Sequence, residues 1–160
     1  VTGDLWVTDV GMHTWEEVNR LKGPNPGKGE NLGWRLMEGP ACYNPATGCN
    51  PKRDDLHQPI VAYKHEVGPG GFQCAITGGH VYRGERFPAM RSWYFFGDYC
   101  SGTIWKIDSA GKNKQSLDVA IDTGLAISAM GTDNKGEIYV LDYTLNKATA
   151  IYRLEGKAKR

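Results

Sequence analysis

The chain has 160 residues, with 19 basic and 18 acidic side chains and a net charge of +1. That balance gives no electrostatic case for nucleic acid or an anionic membrane surface, and no apolar run approaches the roughly 20 residues of a membrane span. The 21 glycines and 8 prolines suit a turn-rich β protein and argue against long helices.

In chain order, residues 5–8 (Leu-Trp-Val-Thr) alternate and predict a strand that ends on Asp9. Residues 15–21 fit either a short helix, through the spacing of Trp15, Val18 and Leu21, or an extended segment. The prolines and glycines of 22–31 require a loop, and 33–37 predicts a short strand. Residues 38–57 form a long Pro/Asn/Asp-rich insertion, a length that marks a functional or an unstructured segment. A strand is expected over 60–64, and Gly-Pro-Gly-Gly at 68–71 is a turn. Four strands then follow at 75–83, 93–97, 103–107 and 117–121, and three more at 127–132, 137–141 and 150–155. A basic tail occupies 156–160.

One phrase recurs. Tyr94-Phe95-Phe96-Gly97-Asp98-Tyr99 leads through a turn to Ile104-Trp105-Lys106-Ile107-Asp108. Ile138-Tyr139-Val140-Leu141-Asp142-Tyr143 leads through another to Ile151-Tyr152-Arg153-Leu154-Glu155. Asp98 and Asp142 lie 44 residues apart, and Asp9, closing Leu5-Trp6-Val7-Thr8, lies 89 before Asp98. A period of about 40–45 residues with four short strands per unit predicts an all-β protein of the β-propeller type. Such rings close with about 4–8 blades, whereas this chain holds about three and a half periods. The expectation is therefore part of a propeller, whether a cleaved half, a split subunit or a truncated chain. The three-stranded last unit would borrow its fourth strand from the other end of the whole protein. Residues 1–155 are read as the blades.

Neither cysteine spacing, 42 to 49 or 74 to 100, matches a CxxC metal or redox pattern. Four buried thiols are one reading. Two disulfides, Cys42–Cys49 and Cys74–Cys100, are favoured in so loop-rich a chain and imply an extracellular or periplasmic setting.

Several kinds of chemistry find no support. There is no Gly-x-Ser-x-Gly nucleophile motif. The glycines of 68–71 lie between strands, so they do not form a phosphate loop. His13, His57, His65 and His80 lie on separate segments without metal-ligand spacing. Glu16-Glu17 is, on sequence chemistry alone, a solvated acidic face. Its place beside a loop rich in backbone carbonyls also offers the oxygen donors that Ca²⁺ prefers. The strand-end acids Asp9, Asp98 and Asp142 are expected to accept hydrogen bonds from turn amides. Trp93, Tyr94, Phe95, Phe96, Trp105, Tyr139 and Tyr152 are expected to fill cores rather than form a sugar platform.

Asp9-Val10-Gly11, Trp15-Glu16-Glu17-Val18-Asn19, Asn31-Leu32-Gly33-Trp34-Arg35, Glu38-Gly39, Thr77-Gly78-Gly79-His80-Val81-Tyr82-Arg83-Gly84, Phe96-Gly97-Asp98-Tyr99 and Gly136-Glu137-Ile138-Tyr139-Val140 together resemble the soluble pyrroloquinoline-quinone (PQQ) sugar dehydrogenases. That family comprises glucose, sorbosone and aldose dehydrogenases. The resemblance spans nearly the whole chain and implies the C-terminal half of a six-bladed propeller that oxidises a sugar or related alcohol. It implies backbone carbonyls of Gly11 and Met12 on the calcium of the PQQ site, and a second calcium held by Glu17 and a carbonyl near Leu32. The family's catalytic His matches no residue here, so no catalytic residue is expected in this half. The Lys and the Arg-x-Arg pair that hold the quinone correspond to Cys100, and to Leu125 with Ile127. The cysteines and Ala126-Ile127-Ser128-Ala129-Met130-Gly131 resemble a second branch, the hedgehog-interacting-protein-like propellers. That branch implies the alternative of a non-catalytic secreted propeller binding carbohydrate or a protein. Expected partners are the missing N-terminal half or another copy of the chain, and a sugar ligand.

Overall fold

The structure is a computed structural model and describes residues 2–110 and 116–157. It divides into two compact units, 1–65 and 66–160.

In the first unit β1 (Leu5–Asp9), β2 (Trp15–Leu21) and β5 (Val61–Lys64) form an antiparallel sheet in the order β1-β2-β5. Residues 15–21 are therefore extended. β2 is the middle strand and is covered on both faces, which is why Glu16, Glu17, Val18 and Asn19 are all buried. The register sets Asp9 opposite Glu17 and Val7 opposite Asn19. The strand expected over 33–37 is not formed. The Met37 N–H donates to the Gly33 carbonyl at 2.9 Å, closing 33–37 into a turn. Gly33 itself adopts φ +104°, in the region that favours glycine. Only Met37–Glu38 (β3) is extended, and it pairs with Ala41–Cys42 (β4) at the start of the long insertion.

The second unit opens on a small hairpin, β6 (Val67–Gly68) with β7 (Gly71–Phe72), built on the expected turn. Then come β8 (Ile76–Val81), a single 3-10 turn at Pro88–Met90, β9 (Trp93–Asp98), β10 (Thr103–Asp108) and β11 (Asp118–Asp122). They form a four-stranded antiparallel sheet in the order β11-β10-β9-β8. β12 (Ile127–Thr132), β13 (Ile138–Asp142) and β14 (Ala150–Arg153) make the three-stranded sheet that follows. Of the basic tail, 158–160 lie outside the described residues.

Tyr82, Phe95, Ile104, Ile127, Ile138, Val140 and Leu154 form one buried cluster between the two sheets of this unit. Polar ties cross the same interface. Thr77 donates its hydroxyl to the Ile127 carbonyl at 2.7 Å. The Tyr82 hydroxyl donates to the buried Glu137 carboxylate at 2.9 Å and accepts the Phe87 N–H at 3.0 Å. Tyr94, Phe95, Phe96 and Trp105 are buried, as expected of core aromatics; Trp93 and Tyr139 are half-buried, and Tyr152 is exposed, against that expectation.

Candidate functional site

Asp9, Gly11, Met12, Glu17, Leu32, Trp34 and Glu38 line one cavity of about 300 Å³ in the first unit, with Val10 and Met37 completing its wall. Strand pairing assembles it. Asp9 ends β1 directly opposite Glu17 on β2, and β3 delivers Glu38. The four positions singled out as calcium or cofactor ligands, Gly11, Met12, Glu17 and Leu32, thus lie around a single space.

The carboxylates are not equivalent. Glu38 Oε1 accepts the backbone N–H groups of His13 (2.6 Å), Thr14 (2.7 Å) and Trp15 (3.3 Å). Burial raises its pKa, but these donors outweigh burial and the net shift is downward. Glu17 Oε1 accepts the Gly39 N–H at 2.8 Å and Oε2 accepts Asn19 Nδ2 at 3.1 Å. Burial nevertheless pushes the Glu17 pKa up, helped by the negative charges of Asp9 and Glu38. Burial also raises Asp9. The expectation that Glu16-Glu17 forms a solvated face is thereby corrected. Glu16 is 0% and Glu17 7% exposed, because the strand carrying them is buried on both faces. Glu16 pairs with His65 at 2.5 Å.

Like charges directly opposite each other on paired strands repel, and no cationic side chain lines this cavity among the described residues. Asn19, fully buried beside Glu17, also has an Oδ1 oxygen without a hydrogen-bond partner among the described residues. The Asp9 and Glu17 carboxylates and the loop backbone that line the cavity are the kind of hard-oxygen donors that suit Ca²⁺. Among the described residues no three His, Cys, Asp or Glu side chains gather as a metal cluster, so an ion here would need backbone carbonyls as well. Gly11 meets a steric demand of its own. A Cβ there would fall on the Trp15 carbonyl oxygen and within 2.7 Å of Glu38 Oε1.

The other predicted residues lie elsewhere. The Cys42–Cys49 and Cys74–Cys100 bridges are formed, with Cα separations of 5.9 and 5.7 Å, and no free cysteine remains. Asp98 is a turn clamp. Its Oδ2 accepts the N–H groups of Cys74 and Ala75, and its Oδ1 those of Cys100 and Ser101. Asp142 repeats the device, accepting the N–H groups of Ala126 and Thr144. Asp9, the third copy of the phrase, instead faces the cavity. The histidines have separate surroundings: His13 against the Tyr43 ring, His57 near Glu30, His65 on Glu16 and His80 near the Met130 carbonyl.

The family description "Glucose / Sorbosone dehydrogenase" matches residues 1–153. The chain belongs to the glucose/sorbosone dehydrogenase family. It is 36% identical over 172 residues to the Arabidopsis thaliana HIPL1 protein, a match covering 91% of this chain and 23% of that one. A solved glucose dehydrogenase superposes with a TM-score of 0.69 at 23% identity, covering 98% of this chain and 41% of its own. The soluble aldose sugar dehydrogenase of Escherichia coli, in its apo-form, gives 0.59 at 21% identity, covering 87% and 38%. The sheets are therefore blades of a propeller, as the repeat predicted. The chain spans about two fifths of the solved family members, and less than a quarter of the plant relative.

The residues at the family's quinone-holding positions do not fit an acidic cofactor. Cys100 is committed to its disulfide. Ile127 is completely buried against Gly97, and Leu125 packs on the hydrophobic cluster. A tricarboxylate needs cationic partners, which these side chains cannot supply.

Proposed function

We propose that this chain forms the calcium-holding part of a sugar-dehydrogenase-like propeller that works outside the cytoplasm and takes a sugar or related alcohol. The observation that carries this reading is the buried carboxylate of Glu17 with the half-buried carboxylate of Asp9 opposite it, in a cavity without a cationic side chain among the described residues. A divalent ion relieves their repulsion; Leu32 is the backbone position that the resemblance gives to the ion of Glu17, and Gly11 and Met12, which it gives to the calcium of the PQQ site, line the same cavity. The two disulfides support an oxidising compartment.

Oxidation with PQQ is the activity that family membership suggests. For this chain it requires that cations from the remainder of the protein replace the Lys and Arg positions, now Cys100, Leu125 and Ile127. A second reading, a non-catalytic secreted propeller that binds carbohydrate or a protein partner, is favoured by that loss. The partner expected to complete the blades is the rest of the propeller or another copy of this chain.

Titrating the whole purified protein with PQQ, in Ca²⁺ and in chelator, separates the two readings. A Ca²⁺-dependent change in the quinone spectrum supports oxidation. No change, with Ca²⁺ binding intact, supports the binding propeller. A protein that binds neither contradicts both.

A further inference from the structure

Most aromatic side chains of the repeat are core, but Trp34 is 57% exposed on the wall of the acidic cavity. Tyr43 stacks on it, with ring centroids 5.0 Å apart and planes inclined by 29°. Tyr43 is itself fixed. It follows the bridged Cys42, and its N–H donates to the Leu36 carbonyl at 2.8 Å. The His13 ring stands 5.8 Å from the Tyr43 ring. Val10 and Met12, on the same wall, are also exposed. The cavity thus combines an apolar wall with buried carboxylates.

We propose that Trp34 is the stacking platform of a pyranose subsite whose sugar hydroxyls hydrogen-bond into the Asp9–Glu17 cavity. The proposal deepens the functional reading above and rests on it for the occupant's class. An aromatic face is electron-rich and apolar, and matches the C–H face of a sugar ring. The carboxylates, or an ion between them, accept or coordinate the hydroxyl edge. A volume of about 300 Å³ lies at the small end of ligand sites, suiting one ring rather than a protein segment. An acidic cavity with aromatic walls also attracts quaternary ammonium ions, but those are held by rings on several sides. Here Tyr43 lies nearly parallel to Trp34, backing one face of the indole, so the pair offers a flat platform instead of a box.

Saturation-transfer NMR on the whole protein in Ca²⁺, with D-glucose as probe, tests this, alongside calorimetric Ca²⁺ titration of the same samples. Wild-type protein should transfer saturation to the ring C–H protons. Trp34→Ala should weaken glucose binding by about tenfold or more, with Ca²⁺ affinity and thermal midpoint unchanged. Trp34→Phe should retain most of the binding. Absence of transfer in the wild type, equal binding by Trp34→Ala, or displacement of glucose by millimolar tetramethylammonium would overturn the proposal. Glucose binding that depends on Trp34 but persists without any Ca²⁺ uptake would support the platform while removing the calcium reading.

Discussion

At the scale of single residues, Asp9 and Glu17 hold their protons more tightly in the folded chain than in the unfolded one. Whatever stability they contribute is complete below the ordinary carboxylate range, near pH 4, and is lost as pH rises through their raised values. Glu38 has the opposite sign, since its lowered pKa adds stability above that range that is lost on acidification. In chelator, Asp9→Asn should therefore be more stable than the wild type by about 0.2–1 kcal/mol at neutral pH. The difference should shrink toward pH 4, as followed by thermal melts across that window. Glu38→Ala should cost about 2 kcal/mol or more in urea unfolding, because three backbone N–H groups lose their acceptor. The burial of Glu17 was not legible in the sequence. Adjacent strand residues point to opposite faces, so burying both Glu16 and Glu17 requires a central strand with cover on each side, a non-local fact. Trp34 stands inside the 31–35 motif, yet an exposed loop aromatic carries no periodic signal that sets it apart.

At the scale of elements, the repeated phrase works because each copy carries its own turn chemistry. In the two later copies a β-run ends on an Asp that collects the amides of the next turn and of the residues leading into a neighbouring strand, through both oxygens at Asp98 and through Oδ1 at Asp142. Asp98→Ala leaves at least four backbone donors without their acceptor in a fully buried site, and should cost about 3 kcal/mol or more by urea unfolding. Asp142→Ala should cost less, because fewer buried amides depend on it. The same pattern explains what the sequence could reveal. Period-two alternation and an Asp at the turn are local signals, so the seven strands from 75 to 155 lie within a few residues of their expected positions. The segment 33–37 misled because its apolar residues look extended, whereas the Gly33 backbone and the Met37 N–H close a turn there. Cysteine spacing alone left four thiols possible. The fold brings each pair within bridging distance.

At the scale of the whole molecule, the last sheet has three strands where the preceding one has four. Ile151 and Tyr152 on its outer strand, β14, are exposed. An open apolar edge is an aggregation hazard unless another strand covers it. Native mass spectrometry of the isolated 17.7 kDa chain should accordingly show self-association or a complex with the remaining blades. A dispersed, stable monomer would contradict that expectation. The propeller was readable from the period, because spacing encodes topology. The quinone question was readable only as the loss of cationic side chains at Cys100, Leu125 and Ile127, since residues outside this segment leave no trace in it. The central claim, that the Asp9–Glu17 cavity holds Ca²⁺, is tested most directly by calorimetric titration of Ca²⁺ into chelator-stripped protein and its Glu17→Gln variant. The account predicts saturable binding by the wild type, a rise in thermal midpoint with added Ca²⁺, and loss of about tenfold or more in affinity in the variant. Equal binding by both proteins, or no heat from either, would contradict it.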